Sequence, residues 1–494
     1  MILPSIVYLL FLLSVIGLFW TLTSLQARLW LLTIASLVFY ASLQIQYLLL
    51  MVTLMLVTFF LGNAIATPLD WQGVTSRWQL AEQGWNRRRR WLLWLGISLN
   101  VVLLLGFKYL EGAFRLMGWV EPSAPASSIW ANLVMPLGLS FFCFECIAYL
   151  VDVYRGSPSA LNFVDFSAYK FFFPKLISGP ITRFHLFIDQ VEQQKAPGLN
   201  GIVEGCWLIA YGAVKKLLVA DHIAILVNLS FNNLARAGSA DLWLATFAYG
   251  LQLYLDFSAY VDIARGSAML LGITLPQNFN APYFSTNLTD FWRRWHITLG
   301  DWLRNYLYFP LGGSRQGLGR TYLNLMIVML IAGIWHGNNW GFLIWGALHG
   351  AGLVLHRLTQ AATKAVPQMK PFWASIPGLL LAWMLTQGLV FFSWLFFRLP
   401  DPKQFTLALG RMVGTAADPQ FIQKVYLESL GFTYGELVAL LLGVLSLMAI
   451  AHLFQRSLQL EISWPVKLLL IPVFGFLAWL LAPAETLPYI YFDF

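Results

Sequence analysis

Charge is what this 494-residue chain has least of. Only 11% of its residues are Asp, Glu, Lys or Arg, against roughly 25% in a soluble domain, which excludes an ordinary water-soluble fold. Cysteine is scarce as well. Three residues build no disulfide framework, and the single C-x-x-C, Cys143 and Cys146 in "LSFFCFECIAYL", lacks a basic or metal-ligating cluster around it. Small core-packing side chains are the reading that remains, and neither a redox role nor a metal site follows. Internal repeats and low-complexity tracts are also absent, which favours one integral-membrane domain over residues 1–494. The opening "MILPSIVYLLFLLSVIGLFW" has no basic leader and no small-residue cleavage site, so it reads as a retained span.

What is present is apolar: 59% hydrophobic residues, 16% aromatic, and a mean hydropathy of +0.67. Windows such as 4–22, 45–66, 91–110, 129–151, 202–228, 242–272, 322–356 and 372–398 reach the length of a spanning helix, which needs about 20 residues; on that rule the chain makes about 11 passes. Continuous apolar runs without alternation predict helices and not barrel strands. The fold class expected is an all-α polytopic membrane protein. A net charge of +8 invites a nucleic-acid reading, but the basic residues cluster beside apolar segments, where the positive-inside rule accounts for them. Arg77 and Arg87 to Arg90 then place the 67–90 loop in the cytoplasm and the N-terminus outside.

Polar residues at bilayer depth are costly and mark function. Three regions carry them. In "FFFPKLISGPITRF", 171–184, Pro174, Gly179 and Pro180 interrupt a helix around Lys175, Ser178 and Arg183; this is either functional broken backbone or a kinked end with snorkelling cations. In 253–283, Asp256 shares a helix face with Tyr260, and Ser258 and Asp262 flank it, with Arg265 as the nearest cation. Asn278 and Asn280 follow between Pro276 and Pro282 as amide hydrogen-bonders. The third is "FWRRWHITLGDWLRNYLYFPLGG", 291–313. Read as a helix capped by Thr286, Asn287 or Thr289, it puts Trp292, Trp295, His296 and Leu299 on one stripe. Arg293, Arg294 and Arg304, with Tyr306 and Tyr308, then make either an interfacial anchor or a bidentate phosphate clasp.

One more histidine stands apart. His336, in "GIWHGNNW", lies fourteen residues after Tyr322, about 21 Å along a helix and past the middle of the bilayer core. Trp335 precedes it, and Gly337, Asn338 and Asn339 follow and break the helix. His349, His356, His185, His222 and His452 lie near segment ends, where structural or interfacial roles suffice.

His296 and His336, forty positions apart, together with "FPKLISGPITRF", "DFSAYVDIARGSAMLLGITLPQNFNAPYFS" and the terminal "LPYIYFDF", resemble the membrane-bound O-acyltransferase family. The likeness is to its bacterial branch, typified by alginate O-acetyltransferase, and its core runs from about 136 to 356. Ala259 departs from the glycine expected after "DFS". The resemblance implies a helical bundle with re-entrant and interfacial helices around a transmembrane tunnel. It makes His336 the general base on the acceptor hydroxyl and His296 the residue that binds or polarises the donor thioester. The arginines would hold the phosphates of acetyl-CoA, or of a carrier-bound phosphopantetheine, at the cytoplasmic mouth. Donor-binding or tunnel-lining positions would be Trp292, Trp295, Trp335, Asn338, Asp256 and Ser258, with Asn278, Asn280, Lys175 and Arg183. No permanently bound cofactor or metal is implied. The acceptor would be an exported polysaccharide reached through an esterase-like periplasmic or extracellular partner, and the location a bacterial inner membrane. Acylation of a lipid, lipoprotein or teichoic acid, a transporter or flippase, and a structural secretion subunit are the competing readings.

Overall fold

In a bilayer core every N–H and C=O must be bonded within its own segment or to neighbouring protein, and the chain meets that demand with helices. A computed structural model describes residues 5–68, 78–116, 135–193, 195–457, 462–483 and 487–490, and among these every regular element is helical. Arg77, the 121–128 loop and the last four residues of the terminal motif lie outside the described residues.

Among the described residues five segments are long and apolar enough to cross a membrane: Leu25–Ala66, Ala81–Leu110, Leu318–His336, Ile376–Arg398 and Tyr434–Phe454. The first of these holds two helices, Leu25–Gln44 and Leu48–Ala66, joined at Ile45–Tyr47. Ile6–Thr21 and Trp464–Leu480 are apolar but shorter. The sequence expectation of about 11 passes at about 20 residues each also counts helices of another kind. Leu139–Tyr154 has only 16 residues, and Ser239–Leu270 carries Asp241, Asp256, Asp262 and Arg265.

The chain forms two compact units. The first comprises Met1–Ile209 with Ile263–Pro276. Here the expected 67–90 loop is corrected: Arg87 to Arg90 sit inside a helix, Trp78–Leu116. Arg89 donates to the carbonyls of Ile65 at 3.0 Å and Tyr154 at 2.8 Å, near the ends of helices Leu48–Ala66 and Leu139–Tyr154. A guanidinium at two helix C-termini satisfies orphan carbonyls and meets their negative dipole ends, so this arginine also clamps the fold.

The 171–183 stretch is irregular, as its prolines and Gly179 require. Its lysine does not snorkel. Lys175 is 3% exposed; its Nζ lies 2.6 Å from Glu145 Oε1 and donates to Thr182 Oγ1 at 2.6 Å. Lys170 Nζ reaches the same carboxylate at 3.3 Å and the Phe142 carbonyl at 3.0 Å. Thr182 N adds a bond to Glu145 at 3.1 Å. Removing one partner of a buried ion pair costs about 3–5 kcal/mol, so this cluster pins the broken segment. Arg183 is more exposed, with its Nε 4.0 Å from Asp152.

The second unit comprises Ala210–Asp262 with Gln277–Phe494. Its centre is the hairpin of Leu318–His336 and Trp340–Ala365. The two helices approach closely because facing positions are glycines: a methyl group on Gly333 would overlap the Phe342 carbonyl, and one on Gly346 the Met329 carbonyl. That close approach sets His336 against the second helix.

Candidate active site

His336 is the last residue of Leu318–His336, a 19-residue helix of about 28 Å, so the histidine sits near the end remote from exposed Arg315 and Arg320. The helix stops at Gly337, as expected, and the next begins at Trp340. The ring is 3% exposed. Trp335, Phe397 and Trp345 enclose it at centroid distances of 4.6, 4.8 and 5.0 Å, while Asn338, Asn339 and Trp340, just beyond, are exposed. A buried imidazole thus lies a few residues from an accessible polar turn.

His296 overturns the continuous helix expected through 291–313. Leu288–Arg294 is capped by Asn287, whose Oδ1 accepts from Asp290 N at 2.8 Å, and it ends before Trp295. His296 then turns left-handed, φ 43°, and a new helix, Ile297–Leu303, starts. The only non-glycine residues with positive φ among those described are His296 and Ala281, and strain of that kind collects at functional sites. Asn278 holds the break: its carbonyl accepts from Ile297 N at 3.0 Å, and its side-chain oxygen accepts from Thr298 Oγ1 at 2.6 Å and Thr298 N at 3.2 Å. Asn280 N donates to the Arg294 carbonyl at 2.9 Å. Trp295 and His296 are therefore buried, at 2% and 0% exposure, and not laid along an interface. His296 Nδ1 accepts from Leu299 N at 3.3 Å, so the neutral ring bears its proton on Nε2 and offers a donor.

A run of rings joins these parts of the second unit. Trp295 packs on Trp394 at 5.0 Å, Trp394 on Trp345 at 6.1 Å, and Trp345 on His336. Trp292 meets Trp345 at 5.9 Å. His349, for which the sequence suggests a structural or interfacial role, lies in the middle of this cage, fully buried, 4.8 Å from Trp345.

Both carboxylates of 253–283 take lysines from another segment. Arg265 is nine residues beyond Asp256, about 13 Å along the helix. Asp256 instead takes Lys216 at 2.8 Å, and Asp262 takes Lys215 at 2.6 Å. Lys215 also donates to Ser258 at 2.9 Å. Both lysines come from a wide π-type stretch, Val214–Ala220, a feature frequent at functional sites. Lys216 binds Asp221 too, at 2.8 Å. This cluster grips the C-terminal segment: Ile490 N donates to Asp256 at 2.9 Å, Lys216 reaches the Pro488 carbonyl at 3.4 Å, and its ammonium lies 4.5 Å from the Tyr489 ring. Asp256 and Ser258 are thus parts of an ionic clasp. The signal for it was visible, since Lys215 and Lys216 interrupt the apolar run 202–228.

The arginines divide. Arg294 pairs with Asp290 at 2.9 Å and Arg304 with Asp301 at 2.7 Å, both within their own helical turns. Arg293 is exposed and has no ion-pair partner among the described residues. The Tyr306 ring lies 5.5 Å from Trp302, tilted at 46°, and Tyr308 bonds Ser314 at 2.7 Å.

Fold and site define an integral, multi-pass helical membrane protein built around buried histidines in an aromatic cage. Sequence comparison then places it: the profile of the MBOAT, membrane-bound O-acyltransferase family matches residues 36–395, and the chain belongs to that family. It is an O-acyltransferase by that membership. It is 37% identical to a probable alginate O-acetylase AlgI of Pseudomonas aeruginosa, over 74% of this chain and 66% of that protein. It is 38% identical to a probable alginate O-acetylase AlgI of Azotobacter vinelandii, over 79% and 73%. With a peptidoglycan O-acetyltransferase of Helicobacter pylori it shares 35% identity over 78% and 74%.

Proposed function

We propose that this chain is an acetyltransferase of a bacterial inner membrane that moves acetyl from cytoplasmic acetyl-CoA to a hydroxyl of an exported polysaccharide, with an esterase-like partner completing delivery outside. Residues 1–494 act as one catalytic membrane domain. The observation that carries the reading is His336: a buried imidazole at a helix end, next to an exposed polar turn.

In the reaction His336 takes the proton of the acceptor hydroxyl as its oxygen attacks the thioester carbonyl. The new C–O bond forms, the C–S bond breaks, and the thiolate leaves and recovers the proton. A base with a reference pKa near 6.5 suits this step, and such help is worth 10²–10⁴-fold. His296 Nε2–H serves the carbonyl oxygen as charge develops on it. Acetyl-CoA is a substrate here, so no resident cofactor is needed.

The relatives' names point to alginate and to peptidoglycan as acceptors. The experiment supplies purified protein with acetyl-CoA and an oligosaccharide of each type, following free thiol and acceptor mass. Thiol release coupled to acetylation of one oligosaccharide supports the reading; a His336→Ala protein as fast as the parent overturns it.

A further inference from the structure

His349 lies in the cage yet has no part in the transfer just described. Its Nε2 is 2.9 Å from Ser393 Oγ. Ser393 gives its single hydroxyl proton to the Val390 carbonyl at 2.7 Å, so toward the histidine it only accepts. The ring proton of His349 is therefore on Nε2, and Nδ1 keeps a lone pair. That Nδ1 is buried and has no hydrogen-bond partner among the described residues.

Three indoles surround the same ring: Trp345 at 4.8 Å, Trp292 at 5.4 Å and Trp394 at 6.1 Å between centroids. The Nε1–H of each is buried and has no hydrogen-bond partner among the described residues. Buried polar groups are nearly always paired, and leaving one acceptor and three donors unpaired within one cage costs stability that a suitable ligand relieves. A secondary amide supplies the complement, an N–H for Nδ1 and a C=O for an indole N–H, on a planar group that stacks on flat rings. The Phe291 ring also neighbours His349, at 6.0 Å between centroids.

We propose that His349 and the indoles about it bind an amide of the pantetheine arm of the acyl donor, an inference that rests on the thioester-donor reading above. His349 is then a donor-binding residue, and Ser393 a positioning residue that fixes its tautomer. Free CoA and a phosphopantetheine-bearing carrier protein present the same arm.

The test titrates acetyl-pantetheine calorimetrically into the purified protein and into His349→Phe, which keeps a flat ring and removes the acceptor. Affinity should fall about tenfold, which is about 1.4 kcal/mol. In parallel, the preference in kcat/KM for acetyl-pantetheine over ethyl thioacetate, which has no amide, should fall about tenfold; a purely structural role would lower both donors together and leave the ratio intact. If His349→Phe does not fold, Ser393→Ala decides, with a fall of about threefold in both readouts. Unchanged affinity and ratio in the folded variants, or a parent that does not bind acetyl-pantetheine, overturn the proposal. A parent that binds it through His349 but transfers acetyl from neither thioester upholds the amide site and defeats the acyl-transfer reading. Titrating acetyl-CoA and an acetylated carrier in the same protein identifies which source supplies the arm.

Discussion

The indole of Trp345 stands at 89° to the imidazole of His336, with 5.0 Å between ring centroids. Edge-to-face pairs at this distance are favourable by about 0.5–1.5 kcal/mol, and here the indole covers one side of the imidazole. Replacing His336 by Gln retains a hydrogen-bonding side chain of similar size but removes the proton acceptor. The expected outcome is a turnover about 10²–10⁴-fold lower, with acetyl-CoA affinity little changed, read by stopped thiol-release assays and by titration of the donor. Equal losses in affinity and turnover would place His336 in donor binding.

His296 combines two jobs that substitution separates. Its backbone is left-handed and its Nδ1 caps the next helix. Asn is the other residue that tolerates both conditions. His296→Asn is expected to unfold at a temperature close to the parent's, whereas His296→Ala loses the cap and about 1 kcal/mol of stability. Transfer should fall in both. Thermal unfolding in detergent, measured beside activity, checks the split; if Ala and Asn variants are equally stable, the cap contributes nothing.

The same residue shows why part of the site was hidden in the sequence. A period of 3.6 runs unbroken through Trp292, Trp295, His296 and Leu299, and nothing local signals that the chain turns left-handed between them. The turn is imposed by Asn278, eighteen residues earlier, and a tertiary contact of that kind leaves no periodic trace. The break after His336 was legible because Gly337, Asn338 and Asn339 carry it in the local sequence. So was the broken stretch around Lys175, though its partner Glu145 lay between Cys143 and Cys146, in a segment read only as packing. His349 looked like a helix-end residue; Trp345 lies one turn before it on the same helix, but Trp292 and Trp394, which complete the cage, come from other segments.

Lys216 holds two carboxylates and the C-terminal segment at once. All three ionised groups are about 2% exposed. Lys216→Met leaves two buried carboxylates without their cation, a loss on the order of 3–5 kcal/mol. Limited proteolysis with a carboxypeptidase should then remove residues 487–490 faster than in the parent. Adding Asp256→Asn removes one of the stranded charges and should restore part of the stability, by non-additivity between contacting groups. Strictly additive losses in the double variant would show that the pair is not coupled.

Arg293, Arg294 and Arg304 were equivalent candidates for the donor's phosphates, and their ion pairs now rank them. Arg294 and Arg304 are partly neutralised by Asp290 and Asp301, and surface pairs of this type contribute about 0–1 kcal/mol, so either can be surrendered to a phosphate only after losing its acid. Arg293 has no such competitor among the described residues and is exposed. Arg293→Ala should therefore weaken acetyl-CoA binding more than Arg294→Ala or Arg304→Ala, and the difference should shrink as salt is raised, because exposed charges are screened over about 8 Å at 0.15 M. Acetyl-pantetheine, which lacks the nucleotide phosphates, separates the two roles of the cation. If Arg293→Ala weakens both donors alike, the guanidinium anchors the helix at the interface and does not hold phosphate; if only acetyl-CoA is affected, the contact is to the nucleotide end of the donor.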